Sequence, residues 1–134
     1  MLKKTITYND YNGVERTEDF YFNLSRSEIT EMELSIEGGL AQKIKSVSAA
    51  QDGGEIMRIF KEIILKAYGE KSPDGKHFVK SNELSIAFTQ TQAYDQLFMT
   101  LVTDPKAAAA FVNAIIPEMT GDKQAIANAK QPNI

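Results

Sequence analysis

The sequence predicts an α+β fold, predominantly helical, with an N-terminal antiparallel β-hairpin followed by about five to six helices. Two observations carry this reading. Apolar and polar residues alternate on either side of an Asn-Gly pair over residues 2–24. From Ser25 onward the apolar residues recur at helical spacing behind repeated capping signals. A chain of 134 residues with 43% hydrophobic and 25% charged residues suits one globular core. The expected organisation is a single domain over residues 1–117, made of a hairpin (2–24) and a helical part (25–117), with a poorly ordered tail at 118–134.

Leu2, Ile6 and Tyr8 fall on one side of the first strand, and Lys3, Thr5 and Thr7 on the other. Asn12-Gly13 offers the positive-φ positions of a tight turn. A second strand follows over 14–24, with Phe20, Phe22 and Leu24 sharing a face. Two strands alone are marginal in water, so the aromatic face must cover something else. Ser25-Arg26-Ser27-Glu28 has the form of a capping box, with Leu24 and Ile29 as its apolar staple. Ile29, Met32 and Ile36 form the inner stripe of that first helix, Glu28, Glu31 and Glu33 face water, and Gly38-Gly39 ends it.

The second helix spans about Leu40 to Ala50, with Leu40, Ile44 and Val47 as its buried stripe. The third opens at Asp52-Gly53-Gly54-Glu55. Its apolar residues, Ile56 through Tyr68, cover more than one face, which marks a helix packed on several sides. Gly69 fits its C-terminal stop. Ser72-Pro73-Asp74-Gly75 reads as a turn. Ser81 or Asn82 caps a helix with Leu84, Ile86, Ala87 and Phe88. A break near Thr89–Thr91 precedes another with Tyr94, Leu97, Phe98, Leu101 and Val102. Asp104-Pro105 starts the last helix, alanine-rich and almost wholly apolar, which Pro117 ends.

Equipment for chemistry is sparse. With no cysteine and one histidine, a Ser-His-Asp arrangement would have to run through His77, which sits in a turn region. Histidine and cysteine cannot assemble a metal cluster here, and nothing calls for a cofactor. Gly69 to Lys76 resembles a phosphate loop only superficially: it has one residue too many, His77 stands where Ser or Thr should hold magnesium, and a helix precedes it. No spacing nominates a glycosidase-like carboxylate pair or a calcium loop. The expectation is a protein that is not an enzyme.

Net charge is −3, which argues against nucleic acid. It is unevenly spread: −4 over residues 1–40, +3 over 41–80 and −2 beyond. The basic middle reads either as a solvated lysine face or as a patch for an acidic partner. Lysines 61, 66, 71, 76 and 80 are spaced to scatter around a helix and a turn, without interleaved aromatic rings for stacking. No apolar run approaches membrane-spanning length and no signal peptide opens the chain, so neither a membrane nor nucleic acid is an expected partner. The apolar helices at 93–102 and 105–116 either complete the core or leave a groove for an amphipathic helix of a partner.

Three runs carry a resemblance to a known family: YNGVERTEDFYFNLSRSEITEMELS (11–35), IFKEIILKAYGEKSPDGKHFVKSNELSIAFT (59–89) and QAYDQLFMTLVTDPKAAAAFVNAIIP (92–117). Together they resemble the tail assembly chaperones of siphophages that infect Gram-positive bacteria, over roughly residues 2–117. What carries the likeness is the order of hairpin, capped acidic helix, apolar central helix, S-P-D-G turn and alanine-rich last helix. The resemblance implies a protein of the infected host's cytoplasm, absent from the mature virion. It would bind the tape-measure protein, keep it soluble and help the tail tube assemble around it. It also implies a second partner, the tail-tube protein, reached through a frameshifted longer form. Self-association, as a homo-oligomer, suits a protein that coats a long client. The competing reading is a structural tube or connector subunit of the virion. For the client-binding surface the expectation falls on Phe98, Leu101, Phe111, Ile115 and Ile116, with Met57, Met99 and Met119 as adaptable apolar groups.

Overall fold

The computed structural model describes residues 1–36 and 38–116, without the side chains of Leu40, Ala41, Ile44, Val47 and Ser48. The expected stripe of the second helix and the expected loose tail at 118–134 therefore lie outside what is described. Strands β1 (Leu2–Asn9) and β2 (Glu15–Phe22) pair antiparallel, Leu2 opposite Phe22 and Asn9 opposite Glu15. Among the described residues six helices follow: α1 (Arg26–Ser35), α2 (Leu40–Ala49), α3 (Gly53–Ala67), α4 (Asn82–Thr89), α5 (Gln92–Thr103) and α6 (Pro105–Ile115). Between α3 and α4 lie two short strands, β3 (Tyr68–Lys71) and β4 (Phe78–Val79). They extend the hairpin into a four-stranded sheet of order β1-β2-β3-β4. The fold is α+β and predominantly helical, as the sequence predicts.

Two local expectations change. The hairpin loop is not a two-residue Asn-Gly turn but runs from Asp10 to Val14, with positive φ at Gly13. The Asp10 carboxylate organises it, accepting from the amides of Asn12 (2.8 Å) and Val14 (3.0 Å) and from Arg16 Nε (2.6 Å). The Arg16 guanidinium, and then the Val14 amide, hold the Asp10 carboxyl below the ordinary carboxylate range.

Gly69, expected as a helix stop, lies in β3 instead. Helix α3 ends at Ala67 and the chain turns directly into the strand at Tyr68. Gly69 is needed for closeness: a Cβ there would stand 2.7 Å from the Val79 carbonyl oxygen and 2.7 Å from the Phe78 ring. Its short strand pair is joined by the Ser72–Gly75 turn, where Ser72 Oγ donates to Asp74 (2.7 Å) and the Gly75 amide to the Ser72 carbonyl (2.9 Å).

Four helix caps are where the sequence puts them, and a fifth, Thr91, stands where the sequence suggests only a break. Ser25 and Glu28 form the full capping box of α1. Asp52, Ser81, Thr91 and Asp104 each accept from amides at the start of α3, α4, α5 and α6. Helix α1 ends at Ser35, ahead of the glycine pair.

The core is a single cluster that joins sheet and helices. Its centre is aromatic. The Phe22 ring meets those of Tyr68 (5.7 Å), Phe88 (5.7 Å) and Phe111 (5.3 Å). Tyr68 and Phe88 stack at 4.3 Å, almost parallel. Phe20 adds to Phe88 from β2, and Tyr94 from α5. Such ring pairs contribute about 0.5–1.5 kcal/mol each beyond their buried area. The aromatic face of the hairpin thus has the covering it requires.

Polar ties hold the segment after β2 in place. The Asn23 amide donates to the Ala67 carbonyl at the end of α3 (2.8 Å), and the Leu24 amide to the Ile115 carbonyl at the end of α6 (3.1 Å). Lys80 Nζ donates to the Asn23 carbonyl (2.6 Å) and to both oxygens of Glu28 (2.8 Å each). Burial pushes the Glu28 carboxyl up, but the Lys80 ammonium and the Ser25 amide outweigh it and hold it below its ordinary value. No helix among the described residues is long and apolar enough to cross a membrane.

Candidate functional site: an apolar groove between four helices

Fixing residues 23–24 against the ends of α3 and α6 sets where α1 begins. From there α1 runs on one side of a depression, with α6 on the other and α3 and α5 beneath. The result is a cavity of about 540 Å³, a size common among ligand sites. Leu24, Phe60, Ile63, Leu101, Ala108 and Ile115 are buried and form its floor. Ile29, Ile56, Val102, Val112 and Ile116 are half-buried walls. Glu33, Pro105, Ala109 and Asn113 lie at the exposed rim.

Sequence spacing explains the wall on α6. Residues 105, 108, 109, 112, 113 and 116 fall at i, i+3, i+4, i+7, i+8 and i+11, so they share a helix face. That face carries small side chains at Ala108 and Ala109, which leave space above the helix where larger residues would fill it. Asp104 and Pro105 fix the start of this helix: the Asp104 carboxylate accepts from the amides of Lys106 (3.0 Å) and Ala107 (3.3 Å). Ile29 on α1 supplies part of the opposite wall, and Leu24 ahead of it part of the floor.

Chemically, the lining is apolar apart from Glu33 and Asn113, aliphatic but for the Phe60 ring. Among the described residues it contains no histidine, hydroxyl or amine side chain. Its interior suits apolar side chains. His77 lies far from it in sequence and in kind: it is exposed in the β3–β4 turn, where its backbone amide bonds Ser72 Oγ (3.0 Å). Among the described residues no group of acids and histidine is placed to hold a metal.

The five residues expected to bind a client are not one surface. Leu101, Ile115 and Ile116 all line the groove, but Leu101 (3% exposed) and Ile115 (0%) are its floor. Phe111 (4% exposed) points into the aromatic core against Phe22. Phe98 is half-buried and stacks on Tyr94 at 5.7 Å, outside the groove lining. Met57 and Met99 are exposed but line no part of it, and Met119 is not among the described residues. Sequence reading missed Ile29, Ile56, Val102 and Val112 as walls. The signal available was the three-and-four spacing of small residues on α6, read there only as apolar.

Of the five spaced lysines, two have structural partners: Lys80 clips Asn23 and Glu28, and Lys71 lies over the Tyr21 ring at 5.7 Å. Glu55 and Glu62 pair with Arg58 on the outer side of α3.

No curated protein and no solved structure matches the chain. A family model described as phage tail assembly chaperone matches residues 1–133, extending beyond the 2–117 stretch in which the resemblance was seen. That match covers nearly the whole chain, and the chain belongs to the phage tail assembly chaperones.

Proposed function

We propose that this chaperone binds the tape-measure protein, that an apolar helical segment of that client seats in the groove between α1 and α6, and that binding keeps the client soluble while the tail tube assembles around it. The observation that carries the reading is the groove itself. Its lining is a buried apolar floor with half-buried aliphatic walls, the arrangement into which an amphipathic helix lays its apolar face. Reversibility follows from the same features. An apolar site with one carboxylate at its rim holds mainly by buried area, so a better-packed competitor such as the closing tube displaces it.

The sequence likeness to siphophage chaperones of Gram-positive bacteria supports a place of action in the infected cell's cytoplasm and a protein left out of the virion. The same likeness supports the tail-tube protein as a second partner, reached through a longer form of the chain.

The test is co-expression with tape-measure segments from the same genome. Soluble complex is expected with the unaltered chain and not with Ala109→Glu, which places a carboxylate in the groove from an exposed position. Thermal melting of the variant checks that the fold is kept. If no tape-measure segment binds, or if Ala109→Glu rescues the client as well as the unaltered chain, the reading fails. Mass spectrometry of purified virions gives an independent measurement: detection at stoichiometric levels would mark a structural tail subunit.

A further inference from the structure

Strand β1 is eight residues long and stands at the edge of the sheet, where among the described residues no strand pairs with its outer side. The other edge, β4, has only two residues. Bonded and non-bonded pairs alternate along antiparallel strands. The Asp10 amide donates to the Val14 carbonyl (2.9 Å), and the register runs on from Asn9 opposite Glu15 to Leu2 opposite Phe22. Even-numbered residues of β1 therefore turn their amides and carbonyls toward β2, and Lys3, Thr5 and Thr7 turn theirs outward. Gln96 Nε2, which reaches the Thr7 carbonyl from α5 (3.1 Å), marks that outer side. An outward row of backbone groups is a template for another strand.

The side chains of β1 select which strand. Lys3 and Lys4 are the only charged groups from Leu2 to Asn9, so two copies of β1 can pair only if these ammonium groups avoid one another. An antiparallel pairing that sets Thr5 opposite Thr5 of another copy achieves this. Lys3 then faces Thr7, Lys4 faces Ile6, and Leu2 faces Tyr8. Shifting the register toward the N-terminus opposes Lys4 to Lys4, or Lys3 to Lys3. Shifting it toward the loop sets Leu2 opposite Asp10, outside the strand. The centred register also covers the open flanks of Leu2 and Tyr8, both half-buried on the inner face beside the buried Ile6.

We propose that a second copy of this chain pairs with the outer edge of β1, antiparallel and centred on Thr5, so that two four-stranded sheets become one. Gln96 is exposed and can swing aside to free the Thr7 carbonyl. The lysines discourage the other registers and leave this one. Among the described residues the groove takes none of its lining from β1. Each copy therefore keeps its groove open, and the pairing is tested separately from the function proposed above.

Sedimentation equilibrium of the full chain over the micromolar range should give twice the chain mass of 14.9 kDa. Monomer mass throughout overturns the proposal. Thr5→Pro removes an amide that faces outward and spares the bonds to β2, a position where edge strands accept proline. It should give a monomer with its melting transition kept; a folded variant that still dimerises overturns the proposal. The Thr7 variants decide the matter whatever Thr5→Pro does to folding. Thr7→Lys sets an ammonium opposite Lys3 of the other copy, and Thr7→Glu a carboxylate, each twice by symmetry. The first should weaken the dimer and the second tighten it, each about 2- to 30-fold, the range for two cross-strand charge pairs. Unchanged or reversed affinities overturn the proposal.

The register has its own measurement, because the chain has no cysteine. A nitroxide at Thr5→Cys should show dipolar broadening from its twin across the two-fold axis. One at Asn9→Cys, about 27 Å from its twin in this register, should not. Equal broadening at both positions overturns the proposal.

Discussion

The two sides of helix α6 meet very different surroundings. On one side Phe111 joins an aromatic cluster in which Phe22, Tyr68 and Phe88 sit 4.3–5.7 Å from one another, ring to ring. On the other, Ala108, Ala109 and Val112 border a cavity of about 540 Å³. Both sides are apolar, so hydrophobicity does not separate them. Side-chain volume does. Rings carried on three layers of structure interdigitate and close the space, whereas alanines facing isoleucine and valine leave it open. One helix thus serves as core and as binding surface, and the difference is written in which positions hold Phe and which hold Ala.

The largest expected effect breaks the closed side. Phe22→Ala removes a fully buried ring from contact with three others and should cost about 3–5 kcal/mol in urea denaturation. Loss of the fold at ordinary temperature would be within that range, whereas a cost below about 1 kcal/mol would mean the cluster does not hold the sheet to the helices. Next is Gly69→Ala. Its new methyl meets the Val79 carbonyl, backbone that cannot swing aside, so about 1–3 kcal/mol should be lost through strain or through parting of β3 and β4. A thermal melt checks it.

Local chemistry made much of this legible in the sequence. The caps of α1, α3, α4 and α6 were readable from a Ser or Asp ahead of an apolar run, because the oxygen that satisfies a free amide lies within a few residues of it; that of α5, Thr91, shows in the sequence only as a break. The hairpin was readable from period-two alternation. The β3–β4 pair was not. Four and two residues give no usable period, and Gly69 after an apolar helix has the pattern of a stop; only the approach of Phe78 and Val79 from the next strand explains it. The groove was half legible. That α5 and α6 held surplus apolar residues was visible, but which of them turn inward depends on the docking of α1, fixed by the bonds of Asn23, Leu24 and Lys80 to distant elements.

That docking gives a smaller, pH-dependent prediction. The Glu28 carboxyl is held below its ordinary value, so the folded state gains from its ionised form. This contribution is present above the unfolded value of about 4.3 and is lost as pH falls through the lower folded value. Lys80→Met removes the ammonium and should cost about 1 kcal/mol near neutral pH, since the pair is only partly shielded from water. The gap between the two proteins should narrow as acid protonates Glu28. If it is constant from pH 7 to pH 3, the ion pair does not hold α1 in place and one wall of the groove lacks its anchor.

The smallest expected effect on stability comes from the open side. Ala109→Glu changes an exposed helix position to another good helix former, so its cost should stay within about 0.5 kcal/mol. If the contrast between the two sides of α6 is right, this near-silent change abolishes client rescue, while Phe111→Ala, two residues along and on the other side of the helix, unfolds or severely weakens the protein. Measuring melting and client solubility on both variants separates the sides directly. Should Ala109→Glu prove as destabilising as Phe111→Ala, the alanine face would be packed core, with no groove for a client to enter.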